Sequence, residues 1–268
     1  MSNVFNAKRF GNYLLNDIKS AWRDSGTMLI LCAFAPLIVF ILGVLFQLVF
    51  GGQVDDLGIG MKGAAIMLSF IIIAWVFPSK HYGPLTEKRY GSSWLMLPAS
   101  RFEKFLSVLL VSCLVLPLAF FSVQFVVDKV LTLVPAYGSS VYSRIYDFFQ
   151  TAWDQLRTGE GRGLAVSIPY ALYIGFCAQI LFFTLGAIFF KNSKIGKTFI
   201  TLLILEIAVS LGMGGLLAAT HIDKLSEIGE ITEDQVINFI NVFAYITYIV
   251  IFAALDILIY LRIKTLKH

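Results

Sequence analysis

Six stretches of this sequence are too long and too apolar to belong to a soluble core. They run at about Thr27–Phe50, Gly60–Phe77, Phe102–Val127, Leu164–Phe190, Thr198–Thr220 and Ile237–Leu261. A helix needs about 20 mostly apolar residues to cross a hydrocarbon layer of roughly 30 Å. A barrel strand would instead alternate apolar and polar residues over about ten positions. Continuous runs of this length predict an all-α membrane protein with six transmembrane helices in a single domain spanning 1–268. Composition agrees: 58% of the residues are hydrophobic and 14% charged, against roughly 25% charged in a soluble domain. The first 26 residues hold no uninterrupted apolar core with a small-residue cleavage site, so no cleavable leader is expected.

Charge sets the expected orientation. With the N-terminus inside, most of the 21 basic residues fall in cytoplasmic segments, including the short Lys191–Lys197 loop, and most of the 17 acids fall outside. That is the positive-inside pattern, with both termini cytoplasmic. The net charge of +4 is spread between apolar runs, so no nucleic-acid face is expected. Lys62, at the head of the second run, is expected to snorkel to the interface.

Three segments outside the runs carry helical patterning. Phe10, Tyr13, Leu14, Ile18 and Trp22 make an amphipathic N-terminal helix suited to the inner surface. Val141, Ile145, Phe148, Phe149 and Ala152 do the same for an outer helix in the Asp128–Gly163 loop. Between runs two and three, Gly83-Pro84 can open a short surface helix, Pro98 ends it, and Ser100-x-x-Glu103 forms a capping box at the start of the next helix.

Motifs for chemistry are sparse. Ile195-Gly-Lys-Thr198 holds the end of a phosphate-binding loop, but the required earlier glycine is Lys191. His81, His221 and His268 fall in loops or at the end, and the cysteines Cys32, Cys113 and Cys177 lie inside apolar runs. No catalytic residue, cofactor site or metal site is expected, and the chain does not read as an enzyme. Two acids, Glu206 and Asp256, fall inside runs five and six, where an ionised carboxylate costs roughly 3 kcal/mol. Both belong to the cytoplasmic half and can face each other with one shared proton, either in a translocation route or as a structural contact. Small residues on run five, Ala208, Ser210, Gly212, Gly214, Gly215 and Ala219, suit close helix packing. The expected neighbour is a helix of the same chain, with a subunit interface as the alternative.

One segment resembles a known family. Tyr90-Gly-Ser-Ser-Trp-Leu-Met-Leu-Pro98-Ala-Ser100-Arg101-Phe-Glu103-Lys104 is similar to the stretch between spans two and three of type-2 ABC transporter permeases. The six-span layout resembles theirs over the whole chain. The resemblance implies the membrane subunit of an ATP-driven exporter in a bacterial inner membrane, paired as a homo- or heterodimer and served by a separate ATPase subunit. It implies docking of that ATPase on the surface helix, with Tyr90, Trp94, Leu97, Pro98, Ser100, Arg101 and Glu103 as the residues concerned, and Arg101 and Glu103 fixing the turn. The residues alone also permit a non-transporting scaffold or regulatory subunit, or a proton-coupled transporter that uses Glu206 and Asp256.

Overall fold

The computed structural model describes residues 5–50, 59–158, 164–220 and 233–265. Among these the chain is helical, without a strand. In order come α1 (Ala7–Ala33), α2 (Ala35–Phe50), α3 (Ile59–His81), α4 (Lys88–Met96), α5 (Arg101–Leu110), a π-helical turn at Val111–Val115, α6 (Leu116–Leu131), α7 (Val141–Thr158), α8 (Leu164–Phe189), α9 (Lys194–Thr220) and α10 (Glu233–Thr265). Among the described residues, three helical stretches are long and apolar enough to cross a membrane, or four if α1 and α2 count as one bent span.

The amphipathic N-terminal helix is not a separate element. It continues through Thr27 to Ala33 as one helix, and the break comes at Phe34, where the chain bends by 45° into α2. Pro36 explains the position. It has no N–H for the carbonyl four residues back, which is that of Cys32. The Gln124 amide fills the vacancy, with Nε2 donating to Cys32 O at 3.2 Å. The π turn before α6 repeats the device. Pro117 cannot donate to Cys113 O, and the Cys177 thiol of α8 approaches that oxygen at 3.7 Å. Prolines survive inside apolar helices when a neighbour re-satisfies the freed carbonyl.

The core centres on α3 and α8. Ile73, Ala74 and Phe77 of α3 meet Ile180, Leu181 and Ile188 of α8, joined by Val108 and Val111 and by Ile259 and Ile263 of α10. Trp75 stacks on Phe183 with centroids 5.5 Å apart. By contrast, only 6% of the apolar window of α9 is buried, against 39% for that of α3.

Gln124 also donates to Ser69 Oγ at 2.9 Å and accepts from Tyr142 Oη at 2.9 Å. It thereby ties α1, α3, α6 and α7 at one fully buried point. Gln124→Leu should therefore destabilise the fold by about 1 kcal/mol, in the range of measured hydrogen bonds inside membranes. Unfolding by titration with a denaturing detergent reads that loss; an unchanged midpoint would mean the amide is dispensable.

Lys62 departs from expectation. It does not snorkel but is 1% exposed. Its ammonium donates to the carbonyls of Tyr137 and Ser139 and lies 4.3 Å from the Tyr137 ring centroid. The turn after α6 folds over the lysine because Asp128, also fully buried, accepts from Tyr137 Oη, Ser140 Oγ and the Tyr142 amide. The loop that closes the lysine in is thus held by a carboxylate of the preceding helix, which apolar periodicity does not reveal.

Candidate functional site

Among the described residues, a dense polar structure joins the N-terminal half of α1 to the elbow between α3 and α5. The elbow starts as a 3-10 turn at Gly83–Thr86, with Pro84 in its first turn, and continues as α4. Leu97 is extended and ends α4, and Ser100 caps α5. The capping box forms in full: Ser100 Oγ accepts from the Glu103 amide at 3.2 Å, and Glu103 Oε2 accepts from the Ser100 amide at 2.8 Å.

Glu103 does more than cap. Its carboxylate also accepts from the Asn6 amide at 2.9 Å and from Arg9 Nε and Nη2 at 2.9 and 2.7 Å. The arginine fork meets both oxygens, the strong geometry for this pair. The carboxylate is fully buried. Asn6 in turn caps α1 through the Lys8 and Arg9 amides. A single carboxylate therefore starts two helices and locks them together.

The next residue, Lys104, is 3% exposed. Its ammonium donates to Trp94 O at 2.7 Å and lies 4.6 Å from the Trp94 ring centroid. It satisfies a carbonyl at the C-terminus of α4, where a cation is favoured. Lys194, the first residue of α9, donates to Gly83 O at 2.6 Å. The preceding turn reverses the chain through Ser193 in the left-handed region, at φ 51°. The elbow is thus bonded to α1, α5 and α9.

Behind it lies a second cluster. His81, at the end of α3, places Nδ1 3.0 Å from Asp24 Oδ2 and Nε2 3.2 Å from Asp17 Oδ1. The imidazolium is the form that donates from both nitrogens. Ser107 Oγ of α5 donates to Asp17 Oδ2 at 2.6 Å. Burial, together with the charge of Asp17, raises the pKa of the nearby Tyr13 phenol and keeps it neutral. A groove of about 470 Å³ runs between Asn6, Asn12, Asn16 of α1 and Leu97-Pro98 of the elbow.

Of the residues marked by the sequence, Trp94 and Glu103 are buried, Leu97 and Ser100 are half-buried, and Tyr90, Pro98 and Arg101 are not. Trp94, Leu97, Ser100 and Glu103 come together in one joint. Arg101 does not help fix the turn: it points outward with no hydrogen bond among the described residues. Arg9, from the other end of the sequence, takes that role. Glu206 and Asp256 are not joined by a hydrogen bond. Glu206 is exposed on α9, while Asp256 is half-buried with Oδ1 unpartnered. Among the described residues α9 and α10 each pack on α8. Ala208, Ser210 and Gly212 are likewise exposed, with nothing within 4 Å of an added Gly212 Cβ. Among the described residues no helix covers them. α8 and α9 do approach closely at Gly186, where a Cβ would fall 1.9 Å from Thr198 Oγ1. The surroundings of Gly214, Gly215 and Ala219, and His221 and His268 entirely, lie outside the described residues.

Sequence patterning missed Asp17, His81 and Lys104. Asp17 left a signal: it sits four residues from both Tyr13 and Ala21 on the buried stripe of α1, so an acid there needs a partner from elsewhere. No family model matches the chain, and neither a curated protein nor a solved structure matches it.

Proposed function

We propose that this chain is the membrane permease subunit of an ATP-driven exporter, docking a separate ATPase subunit on the elbow from Gly83 to Glu103. In this reading the six apolar runs all span the membrane and both termini are cytoplasmic. The carrying observation is the bonding of the elbow to three helices through Glu103, Lys104 and Lys194. A partner's push on α4 would not be lost in a loose loop but would move α1, α5 and α9 together. The exposed Tyr90, Pro98 and Arg101 supply the contact surface, and the chain itself hydrolyses no nucleotide. A second permease copy, the same or related, would cover the small-residue face of α9, where Glu206 stands exposed at membrane depth. Such a carboxyl facing lipid is costly, and a partner helix relieves it.

A non-transporting scaffold is the second reading, favoured by the apolar lining of the cavity of about 180 Å³ between α1 and the α5–α6 helix. A proton-coupled transporter is disfavoured because, among the described residues, no hydrogen bond joins Glu206 to Asp256, whose Oδ1 has no partner.

Affinity purification from native membranes in mild detergent tests the proposal. We expect a co-purifying ATPase, lost on Arg101→Glu while thermal stability stays within about 0.5 kcal/mol, as for other surface changes. Recovery of the chain alone, while other complexes survive the same detergent, would move the reading to the scaffold.

A further inference from the structure

α9 and α10 diverge from their shared support on α8, and the cleft between them holds a cavity of about 470 Å³. Its floor is Phe182, Leu185 and Phe189, and its walls are Thr201 of α9 and Leu258 and Leu261 of α10. The lining is almost wholly apolar. The hydroxyls of Thr201 and Thr265 do not change this, since each donates back to its own helix, to Lys197 O and Arg262 O. The volume is within the roughly 300–1,000 Å³ of small-molecule sites.

The rim has the opposite character. Arg262 lines the cavity mouth, with Nε donating to Ile188 O at 3.3 Å and the guanidinium 5.5 Å from the Phe189 ring centroid. Those two contacts fix its plane and leave its terminal nitrogens without a hydrogen-bond partner among the described residues. Lys197, exposed, lies 6.0 Å from the ring centroid of Phe190, which also lines the cavity. No carboxylate forms an ion pair with either cation among the described residues.

An apolar slot under an oriented, unneutralised guanidinium matches one kind of molecule at a membrane edge. We propose that this cleft binds an anionic phospholipid, with an acyl chain in the slot and the phosphate on Arg262, supported by Lys197. Basic pockets between membrane helices hold anionic headgroups by this combination of charge and apolar contact. The forked donors of arginine suit a phosphate better than the point charge of lysine does. The lipid would also fill the gap that α8 leaves between α9 and α10, bracing the helix that begins at the elbow contact Lys194. The inference rests on the membrane reading but not on the ATPase partner.

Native mass spectrometry of the full chain in mild non-ionic detergent tests it, with phosphatidylglycerol or phosphatidylcholine of the same acyl chains added. We expect selective retention of phosphatidylglycerol, unaffected by excess inorganic phosphate. Arg262→Ala should weaken it about tenfold, the loss of a charge-assisted contact, and Arg262→Lys by less. Thr201→Trp, which fills the slot from an exposed position, should lower retention with the cations intact. Equal retention of the two lipids, or full displacement by inorganic phosphate, would overturn the proposal. Should Arg262→Ala fail to fold, Thr201→Trp decides: undiminished selectivity there rejects the site. No ATPase enters this assay, so its failure is distinct from failure of the exporter reading.

Discussion

Replacing His81 by alanine should destabilise the protein by about 3 kcal/mol, because it strands two carboxylates that the imidazole now bridges. Asp17 is almost fully buried and Asp24 about a quarter exposed, so Asp17 carries most of the loss. Ser107 continues to donate to it, but one hydroxyl does not neutralise a buried charge. The double variant Asp17→Asn with His81→Ala should recover part of the stability, since it removes the stranded charge. Unfolding midpoints in detergent for the two single variants and the double variant check this as a cycle. Strict additivity of the two single changes would show that the residues are not coupled.

Glu103→Ala comes next in size. It removes the acceptor for the Ser100 and Asn6 amides and for the Arg9 fork, so the capping box at α5 loses one of its two bonds while the side-chain caps of Asn6 and Ser100 remain. Hydrogen bonds to a charged group contribute about 1.5–3 kcal/mol each, and these overlap at one carboxylate. A total loss of about 2–4 kcal/mol follows. The local readout is sharper: α1 loses its tie to α5, so proteolysis near Lys8 and Arg9 should accelerate in Glu103→Ala. Arg9→Lys should give a milder form, because an ammonium cannot meet both carboxylate oxygens in the fork geometry. Proteolysis at the wild-type rate in Glu103→Ala would mean that α1 is held by its apolar face alone.

The capping box at Ser100 and Glu103 was legible because it is local. Two residues three apart carry the whole signal, and the structure forms both of its bonds. The same glutamate's bond to Arg9 was not legible, because the partners are 94 residues apart and nothing in either segment names the other. Lys62 shows the reverse error. A lysine at the head of an apolar run ordinarily reaches for water, but here backbone carbonyls close over it, and no residue pattern announces where a turn's carbonyls will point. A proline ordinarily breaks a helix, but at Pro36 the chain bends and before Pro117 it widens into a π turn. The outcome depended on Gln124 and Cys177, which lie on other helices.

The amino-acid sequence by itself determined the helical class, the apolar stretches and the elbow with its capped exit. These follow from composition, periodicity and hydrogen bonds between near neighbours. Only the tertiary structure decided which charges are partners. It joined Arg9 to Glu103, His81 to Asp17 and Asp24, and Lys104 to the end of α4. It left Glu206 exposed and Arg262 facing an apolar cleft. The physical reason is that a charge at an apolar helix face must find a counterpart, but its sequence neighbours lie on the same helix. The counterpart comes from whichever helix packing brings alongside, and that packing is a property of the bundle as a whole.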